Sequence, residues 1–139
     1  MPSAPGPVYF TDENTLGLGK LLRRSGRDDV VYPGHADLPE VPIGTADLEW
    51  MPVIAQRDLI VLTRDRRIRT RPAELRAYSD LGIRSVWIGA KQDLGPHDQA
   101  ALFLKHEARL QREIIKRGPG PWALALSLSG LRPLRLRSA

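Results

Sequence analysis

Asp58-Leu59-Ile60-Val61-Leu62-Thr63-Arg64-Asp65 sets an unbroken apolar run between charges. The run is too short for a helix of its own, and its β-branched content suits a strand. It does not alternate, so both of its faces must be covered. That is the signature of a parallel sheet with helices on either side. Parallel neighbours need crossover connections, so helices are expected before and after it.

Upstream, Ala46 to Gln56 reads as a helix with Leu48, Met51, Ile54 and Ala55 inward. Thr45 is a good cap for it, or Asp47 lies in its first turn. Pro33 to Thr45 is rich in proline and glycine and reads as a loop. Asp29 to Tyr32 is a short strand. Thr15 to Ser25 is a helix stopped by Gly26, with Leu16, Leu18, Leu21 and Leu22 apolar. Val8 to Thr11 is the opening strand. Downstream, Pro72 to Leu81 is a helix that starts on proline and stops at Gly82. Ile83 to Ile88 is a second buried strand. An amphipathic helix runs from Pro96 or His97 to Arg117, with Ala101, Leu102, Leu104, Leu110, Ile114 and Ile115 on its apolar side. Trp122 to Leu128 fits an edge strand, and Gly130 to Ala139 is basic and carries no clear pattern. Strands alternating with helices predict one α/β domain over residues 1–139, a three-layer α/β/α sandwich around a mainly parallel sheet. The basic segment 118–139 is expected to be more extended.

The chain has 139 residues and no cysteine, which excludes a disulfide framework and a thiolate metal site. No apolar run is long enough to span a bilayer, and the Pro/Gly-rich start does not resemble a secretory signal. A cytoplasmic location with no membrane partner is expected. Residues 1–102 hold 13 Lys/Arg against 14 Asp/Glu, and residues 103–139 hold 8 against 2, so the basic excess lies in the C-terminal quarter. Such an excess suits a polyanion, or a solvated helix face followed by a basic tail.

In doubly wound sheets, ligands bind beyond the carboxyl ends of the strands, near a change in strand order. Asp12 follows the first strand and Asp65 the central one. Asp47 opens the helix that runs back to the central strand, so its N-terminus returns to the same edge. Three carboxylates gathered there would repel one another, and a divalent cation relieves the repulsion. All-oxygen ligands suit Mg²⁺ or Mn²⁺, which can activate water against a phosphodiester. Glu13 and Glu49 are nearby second choices. Each aspartate taken singly also has a structural use: Asp12 as a helix cap, Asp47 at a helix dipole, Asp65 in a turn.

Two segments carry a family resemblance. Val8-Tyr9-Phe10-Thr11-Asp12-Glu13-Asn14 resembles an opening strand ending in "DEN". Asp47 through Ile60-Val61-Leu62-Thr63-Arg64-Asp65 resembles a "D, helix, A, strand, TRD" block, with Ala55 as the alanine. Together they are similar to the PIN-like nucleases, including VapC toxins of toxin–antitoxin pairs. The resemblance implies an Mg²⁺-dependent endoribonuclease with Asp12, Asp47 and Asp65 as metal ligands and Glu13 as a further acid. It implies that Thr11 and Thr63 hydrogen-bond the carboxylates or position water. It also implies a cognate antitoxin as partner. The family's glutamate between the first two aspartates is missing, since that region is the Pro/Gly loop, where Glu40 is a poor substitute.

Arg64, Arg66, Arg67, Arg69 and Arg71 crowd Asp65, and Lys20 lies on the first helix near the same edge. Arginine pairs bidentately with phosphate, so these are candidate RNA contacts, with Arg64, Arg66, Arg67 and Lys20 foremost. The apolar side of the 97–117 helix would also serve a homodimer. His35, His97 and His106 are too scattered for a zinc motif. No Ser/His/Asp pattern is present, and Gly17-Leu18-Gly19-Lys20 lacks phosphate-loop spacing. Two other readings stay open: a PIN-like module with weak catalysis that binds nucleic acid or a partner, and a receiver-type domain with Asp12-Glu13 as its acidic pair and Lys91 nearby.

Overall fold

The computed structural model describes residues 6–64, 71–89 and 94–136. Its strands are β1 (Tyr9–Thr11), β2 (Val30–Val31), β3 (Ile60–Thr63), β4 (Arg84–Ile88), β5 (Trp122–Ser127) and β6 (Gly130–Leu134). Its helices are α1 (Leu16–Arg24), α2 (Asp47–Arg57), α3 (Pro72–Asp80) and α4 (Pro96–Arg117), with a 3-10 turn over Glu13–Thr15. The strands form one sheet in the order β2-β1-β3-β4-β5-β6. All neighbours are parallel except β5 and β6. The expected α/β sandwich is therefore the observed one.

Alternation along the strands sorts the core into two layers. Tyr9, Ile60, Leu62 and Val86 pack with Leu18 and Leu22 of α1 and with Leu102, Phe103 and Leu110 of α4. Phe10, Val61 and Trp87 pack with Trp50, Met51 and Ile54 of α2 and Tyr78 of α3. Phe10 and Trp50 meet with ring centroids 4.8 Å apart, and Tyr9 meets Phe103 edge-on at 5.3 Å. The glycines of α1 let the layers close. A Cβ on Gly19 would lie 2.3 Å from Oγ1 of Thr11 and 3.1 Å from a ring carbon of Tyr32. Gly19→Ala should therefore cost about 1–3 kcal/mol by overpacking, read as a lowered denaturation midpoint. An unchanged midpoint would mean that Thr11 rotates aside without penalty.

Three expectations need correction. Leu48 is 48% exposed, and Trp50 takes the inward place assigned to it. Ala101 is exposed, and Leu104 and Ile115 are 51% and 82% exposed; Phe103 and Gln99 turn inward on α4 instead. Residues Trp122–Ser127 are not an edge strand, because β6 pairs outside them with Ser127 opposite Gly130 and Ala123 opposite Leu134. No described helix is long and apolar enough to cross a membrane.

From β1 the chain moves to β2 on one side, then returns to β3 on the other. The strand order therefore reverses between β1 and β3, and the carboxyl edge at such a reversal is where sheets of this kind bind ligands. Helices α2, α3 and α4 each precede a parallel strand, so their N-termini return to this same edge.

Candidate active site

Asp12 is the first residue after β1 and is 1% exposed. Thr11 pairs with Leu62, which sets Asp12 level with Thr63 on the neighbouring strand. The Thr63 hydroxyl donates to Asp12 Oδ2 at 2.6 Å. The Thr15 amide donates to Asp12 Oδ1 at 3.2 Å, so Asp12 also caps the 3-10 turn. The Thr15 hydroxyl has one proton to give. It lies 2.7 Å from the Leu62 carbonyl and 3.0 Å from Asp12 Oδ1. The carbonyl is the better-placed acceptor, so Thr15 chiefly ties the turn to β3. Buried carboxylates need such donors, and here they hold both oxygens at the carboxyl end of β1. Thr15 was not foreseen, although a threonine three residues after a capping aspartate is a readable pattern. Thr11 does not share this duty. Its buried hydroxyl faces Gly19 on the opposite side of the sheet and has no hydrogen-bond partner among the described residues.

Asp47 lies in the first turn of α2, behind Ala46 as N-cap. Thr45 does not cap; its hydroxyl donates to the Pro42 carbonyl at 2.6 Å. The Trp50 indole N–H donates to Asp47 Oδ1 at 3.0 Å. Because Trp50 is locked against Phe10 in the core, this bond aims the carboxylate of a half-buried residue. Glu13 is exposed, and its Oε1 accepts from the Gly44 amide, which pins the 33–46 loop to the end of β1. Glu13 and Asp47 line one cleft of about 370 Å³, together with Asn14, Arg71 and Glu74. The described lining of that cleft does not include Asp12.

Glu74 is the acid that the sequence reading missed. Its side chain is 13% exposed and stands 3.7 Å from Arg71 Nη1. The rule that placed Asp47 also places Glu74: α3 leads into parallel β4, so its first turn returns to the carboxyl edge. Glu40 is removed from contention. It is doubly bonded to Arg57, at 2.9 and 2.6 Å, at the far end of α2 from Asp47. Arg57 accordingly holds the Glu40 carboxyl below the usual range. Glu49 shares the first turn of α2 but is not among the described lining residues of the cleft.

Arg64 directly follows β3, is half-buried, and donates from Nη1 to the Leu94 carbonyl at 3.1 Å. The buried Gln99 amide donates to that same carbonyl at 2.9 Å, so the start of α4 is tied to this edge. Lys20 is exposed on α1. Asp65, Arg66, Arg67, Arg69 and Lys91 lie outside the described residues. Among the described residues alone, no three Asp, Glu, His or Cys side chains are grouped to hold a metal. The acidic side chains at the edge nonetheless offer carboxylate oxygens, the ligands that a hard cation such as Mg²⁺ takes.

A family model described as a PIN-like domain matches residues 7–90. The match begins just before β1 and ends just after β4, so it contains Asp12, Glu13, Asp47 and Asp65. No curated protein and no solved structure matches the chain significantly.

Proposed function

The chain belongs to the PIN-like domain family, and on that premise we propose that it is a metal-dependent endoribonuclease, the toxin of a VapC-type toxin–antitoxin pair. One observation carries the reading: Asp12 is buried at the reversal of strand order with both oxygens held by donors. A cap alone needs only one of those oxygens. Asp12, Asp47 and Asp65 would hold Mg²⁺ or Mn²⁺, with Glu13 as the further acid and Glu74 beside it. When bound, the ion supplies an activated water and stabilises charge on the phosphodiester. The chain's own residues do the positioning. Thr63 and Thr15 fix Asp12, Trp50 aims Asp47, and Glu13 holds the 33–46 loop over the cleft. Arg64, Arg66, Arg67 and Lys20 would contact RNA phosphates. A cognate antitoxin would mask the acidic edge.

Purified protein with Mg²⁺ or Mn²⁺ and a structured RNA tests the reading against Asp12→Ala and Asp65→Ala. Cleavage by the wild type and by neither variant is expected. RNA that is bound yet stays intact with the wild type would favour a binding module instead.

Trp50 gives a separate handle. Trp50→Phe keeps an aromatic ring on Phe10 and deletes the bond to Asp47. Support for a ligand of this kind is worth about 10–100-fold in metal affinity or activity. An unchanged Mn²⁺ titration in Trp50→Phe would mean that Trp50 does not position Asp47 for a metal.

A further inference from the structure

Helix α4 presents Lys105, Arg109, Arg112 and Lys116 at spacings of four, three and four residues. At 3.6 residues per turn they fall within an arc of about 60° and span about 16 Å of helix axis. All four are exposed. None forms an ion pair with a described residue. Of the two glutamates in this part of α4, Glu107 lies on another face and pairs with Arg27, and Glu113 borders the row beside Arg109 and Lys116 and stands 3.7 Å from Arg117. Like charges at these spacings destabilise a helix by a few tenths of a kcal/mol per pair. A face made only for solubility would mix signs and avoid that cost.

We propose that this face of α4 is a second RNA contact, a rail of four cations that grips the phosphate backbone away from the acidic cleft. The proposal rests on the ribonuclease reading and extends it to the substrate. Helix α4 starts at the carboxyl edge but packs on the other face of the sheet from α2 and α3, so RNA held in the cleft would have to pass around that edge to reach the rail. RNA long enough to reach the rail is then the preferred substrate, and a fragment of a few nucleotides gains nothing from it. The occupant is RNA because long, exposed cations that outnumber the one carboxylate beside them, Glu113, match a regular row of phosphates.

The test measures binding in full-length chain carrying Asp12→Asn, so that the RNA is not cut. A labelled structured RNA of about 25 nucleotides is titrated by fluorescence anisotropy at several salt concentrations. Each lost phosphate contact removes about 0.7–0.9 from the slope of log affinity against log salt. The fourfold variant Lys105→Gln, Arg109→Gln, Arg112→Gln, Lys116→Gln should therefore bind with a slope shallower by about three and roughly a hundredfold more weakly at physiological salt. The two halves, Lys105→Gln with Arg109→Gln and Arg112→Gln with Lys116→Gln, should each lose about half of that slope. Arg24→Gln with Arg76→Gln removes two charges, as each half does, from other exposed sites and should lose little. Unchanged affinity and slope in the fourfold variant would overturn the proposal. So would an equal loss in the Arg24/Arg76 control, or loss of binding to anionic lipid vesicles with RNA affinity intact. Cleavage by the wild type is scored separately, so a failed nuclease reading and a failed rail give different results.

Discussion

Asp12→Asn should abolish RNA cleavage while leaving the protein folded. A loss of at least about a thousandfold in kcat/KM is expected, which corresponds to about 4 kcal/mol of transition-state stabilisation. The size follows from where the residue sits. Asp12 is fully enclosed, so its charge acts at close range with little solvent screening. Asparagine keeps an oxygen to accept from the Thr15 amide, so the cap survives. Its amide group cannot accept from the Thr63 hydroxyl as Oδ2 does. That hydroxyl can rotate and accept instead, so the folding cost should stay near 1 kcal/mol. The pairing of a large kinetic loss with a small shift in melting temperature is what separates a catalytic carboxylate from a cap. Equal activity in Asp12→Asn would leave only the capping role.

Arg27→Ala should give the largest loss of stability. Arg27 lies between β2 and α1 in sequence and reaches α4 in space. Its guanidinium bonds Asp29 at 2.9 and 2.8 Å and Glu107 at 2.8 Å. Its carbon also stands 5.8 Å from the centre of the Phe103 ring. Without it, two carboxylates face each other beside the phenol of Tyr9. Burial already holds that phenol well above the usual tyrosine range, and Glu107 and Asp29 push it further. Losing the shared cation of a buried pair costs about 3–5 kcal/mol; partial exposure here lowers the expectation to about 3 kcal/mol, or about 10 °C in Tm. The effect has a pH signature. Hydrogen bonding to Arg27 lowers the Asp29 carboxyl below its ordinary value. Its contribution is therefore complete above the unfolded value, near pH 4, and is lost as pH falls through the folded value. The gap in Tm between wild type and Arg27→Ala should be widest near neutral pH and narrow below about pH 4. A gap that does not depend on pH would assign the loss to packing on Phe103.

Much of the fold was legible because buried parallel strands write themselves as continuous apolar runs. Leu59 to Thr63 and Ile83 to Ile88 needed no context, and the helix leading into each strand fixed the edge to which its first turn returns. β6 was not legible. Gly130-Leu131-Arg132-Pro133-Leu134 has a proline and no clean alternation, and only an edge strand tolerates a residue without an N–H. The inward face of α2 was misread because Leu48 and Trp50 both lie near its first turn, and propensity cannot say which one the sheet covers. Phe10 decides it by stacking on Trp50. On α4, an exposed Leu104 and Ile115 look like core residues in any count of apolar positions.

The candidate site was legible where one residue follows directly on a strand. Asp12 needed only the end of β1. Asp47 needed the return of α2 as well, and lies where that return puts it. Glu74 obeys the same rule but sits in a helix with no motif around it. Trp50 could not be singled out by chemistry, since it acts through its bond to an aspartate and contributes no charge, whereas Thr15 was readable from its place three residues after a capping aspartate.

Magnesium dependence of RNA cleavage tests the acidic edge most directly. Wild-type protein stripped with a chelator is incubated with a structured RNA over a range of Mg²⁺ concentrations, and cleavage is read on a gel. Cleavage should be absent without the ion, rise saturably with Mg²⁺, and stay absent at every concentration in Asp12→Asn. Cleavage that persists in chelator, or RNA recovered intact at saturating Mg²⁺ and Mn²⁺, would contradict the assignment of this edge as a metal-dependent ribonuclease site.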